Sequence, residues 1–475
     1  MLEHQTSNIS SAILGAETGF TRVPASGPAA KPFVGYLPEQ LKFGRDPIGY
    51  LTRLHREYGT VTAWTAGRPL LVFNCDPDLN QQLSAAEQFD WAPKTPPVRF
   101  AAMGPLINTI LQKNGEEYKR RRRLVRPAFH PGLLERWCDK MAMFTQQMFD
   151  GWREGQEIDW HQEVHHLVVA ISISTAFNVE DPAIISAFAN QIAEYYRAGT
   201  RTTTSLFPYD LPGTSYRRML RAIEGNIAIV KELVQQSRGT ESMVGLLGEP
   251  DENGDQLSES ELLGEAFAMM NHDNLISALT WTLFLLVQHP DVHAEALDEV
   301  HAVSRGERPT FEQLNSMPQL ERVIKESLRL MPPFAYGRRY AAGACRFGPF
   351  DLKEGTKVIF CPYVTHRLPG IYAEPNRFLP GRWQSLRPSQ YEYLPFGAGS
   401  HFCLGMRFAM LELKLVLASL IQRYRVEVRP GARIDRLFRM ALVPRGAMPM
   451  IINKQDRNFR RNRVSGNIHE MVTFA

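Results

Sequence analysis

Two stretches of the chain carry a helical pattern of apolar positions. From Met406 to Tyr424, the residues Phe408, Leu411, Leu415, Ala418 and Ile421 recur at the spacing that lines one face of a helix. From Leu257 to Gln288 there is no proline and apolar residues are dense, which predicts one long buried helix. His289-Pro290 closes that run, as a proline beyond a helix end should. The N-terminal stretch Met1 to Phe20 has neither an apolar span of the roughly 18 residues a membrane helix needs nor a basic start before one, so no signal peptide or membrane anchor is expected. Residues 1–30 are rich in Ser, Ala, Gly and Pro and are expected to be a flexible segment.

The helix over 406–424 follows the run Phe396-Gly397-Ala398-Gly399-Ser400-His401-Phe402-Cys403-Leu404-Gly405. A cysteine flanked by glycines, just before an apolar helix, suits a thiolate metal ligand. The helix start supplies backbone N–H groups and the positive end of its dipole, which lower the thiol pKa. Taken alone, Cys403 reads as a buried inert cysteine, the usual fate of a free one; the glycines and the aromatic of the loop favour the ligand. One cysteine holds iron from a single side only if a macrocycle supplies the other ligands, which points to haem.

This decamer resembles the haem-binding loop of the cytochrome P-450 family, and other segments match in the family's order. Glu326-Ser327-Leu328-Arg329 looks like its Glu-x-x-Arg, with both side chains on one helix face. Phe378-Leu379-Pro380-Gly381-Arg382-Trp383 is similar to the segment whose arginine joins that pair. Tyr363-Val364-Thr365-His366-Arg367, the Gly115 to Arg123 stretch, and the Asp46-Pro47 to Tyr58-Gly59 stretch also match, so the likeness runs from about residue 30 to residue 453. The resemblance implies a mainly α fold with a small β portion. A single haem domain would span 31–453, followed by a basic C-terminal extension over 454–475 that carries Arg457, Arg460, Arg461 and Arg463. It implies haem b with Cys403 as the axial metal ligand, in a loop built by Phe396, Gly397 and Gly405. Tyr118, Arg122, His401 and Arg339 (or its neighbour Arg338) are the implied propionate contacts; Tyr118 stands where the family commonly has Trp, and His401 where many members have Arg. Glu326, Arg329 and Arg382 are implied to form a structural ion network.

Charge and cysteine content narrow the surroundings. With 54 basic against 50 acidic residues, the chain is not suited to nucleic acid. Lys119 to Arg123 with Arg126 form a local basic cluster, which reads either as a solvated helix face or as a docking patch for a separate acidic ferredoxin or flavodoxin served by its own reductase. The five cysteines form no close pair or zinc spacing, which fits a reducing cytoplasm. A cytoplasmic, monomeric, bacterial-type enzyme of specialised metabolism is the expectation.

The distal helix departs from the family. Its usual Ala/Gly-Gly-x-Asp/Glu-Thr-Thr is replaced by Met270-Asn271-His272-Asp273-Asn274-Leu275. An amide donates and accepts but does not pass a proton by simple rotation, as a hydroxyl does. Asp273, Asn274 and Ser277, one turn further on, are the candidate catalytic residues. Val98, Phe100, Met270, Asn271, Leu275, Phe334 and Tyr336 are the candidate substrate contacts, lining a site for a small, largely apolar molecule. Three readings follow: monooxygenation with an altered proton relay, dioxygen-independent nitrenoid or oxo transfer, cyclisation or rearrangement on a pre-activated N–O or O–O substrate, and a haem gas sensor or binding protein.

Overall fold

Proline and short polar side chains set many of the helix starts. The Asp46 carboxylate accepts the Gly49 N–H (3.2 Å) just before Pro47 opens its helix, and Ser258 with Glu261 forms a reciprocal capping box. The structure, a computed structural model, describes residues 27–65, 69–85, 88–94, 104–199, 201, 203–204, 207–270 and 273–474. Val98, Phe100, Asn271, His272 and the segment 1–26 therefore lie outside the described residues.

Helices α1 (Leu37–Arg45) and α2 (Pro47–Tyr58) precede strands β1 (Val61–Thr65), β2 (Pro69–Asn74) and β3 (Phe89–Asp90). Next come α3 (Gly115–Val125), α4 (Leu134–Asp150), β4 (Glu157–Asp159), α5 (Trp160–Phe177), α6 (Pro182–Gly199) and α7 (Ser215–Ser237). The central run forms α8 (Glu259–Met269) and α9 (Asp273–Val287), followed by α10 (Pro290–Ser304) and α11 (Pro318–Leu330). Strands β5 (Gly337–Ala341) and β6 (Lys357–Phe360), helix α12 (Met406–Arg423), and strands β7 (Tyr424–Val428), β8 (Leu442–Pro444) and β9 (Pro449–Lys454) complete the framework. The described residues are 54% helical, which makes the fold mainly α. A five-stranded sheet runs β1-β2-β6-β5-β3, and a three-stranded one runs β4-β9-β7. The β2–β6 pair is parallel and the others in both sheets are antiparallel.

The core sits around α9. Leu279, Trp281, Leu283, Phe284, Leu285 and Leu286 have no exposed surface, so this helix is apolar on every side. The run from Leu257 to Gln288, expected as one helix, is described as two segments. The first segment ends at Met269, Met270 closes it with an N–H bond to Phe267 O (3.1 Å), and helix resumes at Asp273.

The segment after β9 is also unlike a loose extension. Residues 454–474 run back over the body, and Ile468, Met471 and Val472 are buried in its core. Among the described residues, no single helix is long and apolar enough to cross a membrane.

Candidate active site

Cys403 stands two residues before Gly405, the cap of α12. Its own N–H donates to Phe396 O (3.0 Å), closing the loop over Gly397 and Gly399, which adopt φ 74° and 68°. A side chain at Gly399 would meet Ser84 O at 2.3 Å, so glycine there lets the loop press on the body. The Cys403 side chain keeps accessible surface, although protein atoms crowd its sulfur. That crowding pushes the thiol up; the Gly405 N–H, the Arg122 charge and the Met406 N–H pull it down.

A column of flat side chains rises beside the sulfur. Arg339 lies 3.5 Å over the Trp91 ring, Trp91 stacks on His401 (4.9 Å, 10°), and His401 stacks on Tyr118 (3.7 Å). Tyr118 O–H donates to Ser400 O (2.8 Å), while Arg122 donates to Tyr118 Oη (2.8 Å) and to Phe402 O (2.9 Å). Arg339 is 4% exposed, whereas Arg338 on the opposite face of β5 is exposed. Burial pulls the Arg339 guanidinium down, and among the described residues it has no carboxylate in ion-pair range. Burial, with Arg339 and Arg122 nearby, pulls His401 to about 4. The residues expected at the cofactor edge thus stand together, with Arg339 facing inward in place of Arg338. Trp91 was missed, because nothing in its spacing marks it.

Below the loop lies the ion network. Glu326 accepts from Arg329 Nε and Nη2 (2.9 Å each), Arg382 Nε (3.0 Å), the Leu379 N–H (3.0 Å) and Trp383 Nε1 (3.0 Å). Arg329 also donates to the carbonyls of His366 (2.9 Å), Pro375 (2.7 Å) and Arg377 (3.1 Å). Both charges are fully buried and multiply bonded, the arrangement a buried ion pair requires.

The basic cluster on α3 is largely neutralised within the chain. Arg121, fully buried, pairs with Glu261 (2.5 Å) and Glu265 (2.9 Å); Arg120 pairs with Asp255 (2.9 Å) and Glu261 (3.1 Å). Arg123 pairs with Asp251 (2.9 Å) and Asp255 (2.7 Å), and Arg122 points into the haem-loop column. Lys119, which pairs with Glu116 (2.7 Å), and Arg123 remain exposed, so the outward part of the cluster is smaller than its charge count suggests. Arg126 and Arg407 are exposed, and among the described residues neither has an ion-pair partner. The turn that begins at Arg126 ends at Phe129, which packs against Gly405.

On the distal side, Asn274 is exposed and Leu275 and Met270 are buried. Asp273 is hydrogen-bonded to Tyr196 of α6; burial pushes its carboxyl up to about 7 against that bond. Ser277 lies one turn along α9 from Asn274. Its hydroxyl donates to Leu442 O (2.5 Å), an acceptor shared with Trp281 Nε1 (2.7 Å), so its proton is committed to the backbone rather than to a relay. Leu442 N–H in turn donates to Pro333 O (3.0 Å), tying the Phe334–Tyr336 turn to α9. Phe334 lies 6.1 Å from Phe360, whose ring also meets Arg339 (4.9 Å). Tyr336 packs instead on Phe438 (4.7 Å) and Phe43 (5.4 Å). Tyr196 and Leu442 carried no motif and became visible only through these contacts.

A cysteine under helix N–H groups, a cationic column beside it and a buried carboxylate network beneath define a haem-thiolate oxidoreductase. The family model described as cytochrome P450 matches residues 24–449, and the chain belongs to that family. It is 28% identical over 90% of its length to the cyclooctat-9-en-7-ol 5-monooxygenase of Streptomyces melanosporofaciens, covering 94% of that protein. It is 26% identical over 87% of its length to the pentalenene oxygenase of Streptomyces avermitilis, again covering 94% of the relative. Its fold superposes on retinoic acid bound cyanobacterial CYP120A1 with TM-score 0.79 and 25% identity, over 91% of this chain and 100% of that one. Membership implies a haem held by a cysteine thiolate. The residues present fit it, since buried Arg339, lacking a carboxylate partner among the described residues, suits an anionic edge and the loop leaves the Cys403 side chain accessible.

Proposed function

We propose that the protein is a monooxygenase of specialised metabolism acting on a ring-bearing, largely hydrocarbon molecule of the terpenoid kind, with Cys403 as axial ligand to haem b. The observation that carries this is the Cys403 sulfur, held under the N–H groups of Gly405 and Met406 beside the Arg122 charge. Relatives named for cyclooctat-9-en-7-ol and pentalenene support the substrate class. When bound, haem supplies oxygen activation. The chain's residues do the rest: Arg339, Trp91, His401, Tyr118 and Arg122 hold the cofactor edge, and Leu275 and Met270 give the distal side an apolar surface. The exposed Asn274 amide offers a donor and an acceptor, and Asp273 with Tyr196 holds a proton one residue away. Electrons come from a separate ferredoxin or flavodoxin that meets Arg126 and Arg407.

A second reading rests on Ser277. With its hydroxyl bound to Leu442 O, the described distal helix presents no free hydroxyl one turn from Asn274, which favours chemistry on a substrate that already carries an N–O or O–O bond. One experiment separates the two: turnover of candidate substrates with and without dioxygen and reductant. Product that requires both supports monooxygenation, and product formed anaerobically from an N–O substrate rejects it. A missing red-shifted Soret band in the reduced carbon-monoxide complex of folded, haem-loaded protein would reject the thiolate ligand itself.

A further inference from the structure

The segment after β9 is anchored along its whole length. Gln455 donates to Ile421 O (2.6 Å) and Tyr424 O (3.1 Å), Arg457 pairs with Asp298, and Phe459 packs on His293 (4.1 Å). The Gly431 N–H donates to Arg463 O (2.9 Å) and the Ile434 N–H to Ser465 O (2.8 Å). Beyond these contacts Ile468, Met471 and Val472 enter the core.

Its end reaches a particular place. Thr473 forms a parallel bridge with Arg377, and its N–H donates to Asn376 O (2.8 Å). The carbonyls on either side of Asn376, those of Pro375 and Arg377, are two of the three that hold the Arg329 guanidinium. Met471 O accepts from Arg367 Nη2 (3.2 Å), and that same nitrogen donates to Leu330 O (2.6 Å), next to Arg329. Phe474 meets Phe284 of α9 edge to ring (6.1 Å) and lies against His289 at a tilt (6.0 Å, 34°).

We propose that Met471 to Phe474 form a latch that positions the carbonyl cage of Arg329, and through it the Cys403 loop. The path is continuous. Arg329 O meets His366 Nδ1 (3.3 Å), His366 Nε2 accepts the Leu394 N–H (2.8 Å), and Leu394 O accepts the Gly397 N–H (3.1 Å) at the start of the loop. A fully buried guanidinium tolerates little drift of its acceptors, because each lost bond leaves a charge without solvation. Segment 375–377 is held on one side by Arg329, and Thr473 pairs with it along its backbone.

The test uses the haem-loaded full chain and two readouts followed against temperature: the thiolate-type Soret band of the reduced carbon-monoxide complex, and far-ultraviolet circular dichroism. Thr473→Pro removes the N–H that Asn376 accepts, and Phe474→Ala removes the ring that seats the end. Both variants are expected to lose the thiolate band at a lower temperature than they lose helix, and to release haem to a competing apoprotein about tenfold faster. Arg457→Ala, at the far end of the segment, is expected to move neither midpoint. Equal shifts of both midpoints, or no shift, overturn the proposal by making the segment a general stabiliser or an inert one. If Thr473→Pro does not fold, Phe474→Ala decides by the same criterion.

Discussion

His366 joins Arg329 to Leu394: its Nε2 accepts the Leu394 N–H at 2.8 Å while its Nδ1 lies 3.3 Å from the Arg329 carbonyl. The accepting Nε2 assigns the proton to Nδ1, so one neutral imidazole bridges the buried network to the segment that feeds the Cys403 loop.

That neutrality has a pH signature. Burial, with Arg329 and Arg367 adding positive charge, pulls His366 to about 3, far below the ordinary 6.5. Between those values the unfolded chain holds one proton more than the folded one. The contribution of His366 is therefore complete above about pH 6.5 and is lost as pH falls toward 3, by about 1.4 kcal/mol per unit. Denaturant midpoints taken from pH 7 to 4 should show this slope. His366→Gln, whose amide makes both bonds without titrating, should flatten it by about one proton; an unchanged slope would refute the assignment.

Removing the acid at the centre of the network is expected to be severe. Glu326→Ala leaves Arg329 buried with its carbonyl partners alone, a loss of roughly 3–5 kcal/mol. The melting temperature of the purified variant, or its failure to retain haem, reads this directly.

Trp91 is expected to matter for the cofactor more than for the fold. A guanidinium 3.5 Å over an indole is worth about 0.5–2 kcal/mol when partly desolvated, so Trp91→Leu should weaken haem affinity by roughly 2- to 30-fold. Haem titration of the apoprotein measures it, with Arg338→Ala as the exposed control that leaves affinity unchanged.

The distal helix yields a paired test. Asn274→Thr restores a hydroxyl and should raise the fraction of electrons recovered in product if monooxygenation is limited by proton delivery. Ser277→Ala should leave that fraction unchanged and cost about 1 kcal/mol of stability, because the hydroxyl bonds only to Leu442 O.

Partner docking should follow the unpaired cations. The Arg126→Glu, Arg407→Glu double variant is expected to slow reduction by an acidic ferredoxin about tenfold at low salt, with the difference vanishing at high salt. Arg120→Gln should have little effect on that rate, since its charge is already taken by Asp255 and Glu261.

What could be read from the residues follows from where contacts lie along the chain. Glu326 and Arg329 share a helix turn, and Cys403 sits just before the helix that follows it, so spacing alone placed each pair. Trp91, Tyr196 and Leu442 act across gaps that no periodicity spans: Trp91 meets His401, Tyr196 meets Asp273, and Leu442 meets Ser277. The α3 arginines show the converse. Their charges were evident, but the acids that absorb them, from Asp251 to Glu265, fold onto them from a different part of the chain.

The sequence by itself determined the proximal half of the protein: the ligand cysteine, its glycine loop, the helix behind it and the family they define. These are local features, dictated by backbone freedom and by neighbours within a turn or two. The tertiary structure alone decided which of Arg338 and Arg339 turns inward, that Ser277 is occupied, and that the C-terminal segment closes on the Arg329 cage. Each of these depends on which distant group reaches a buried polar atom first, and burial makes that choice binding because an unpartnered charge or hydroxyl in the core costs more than rearranging the chain around it.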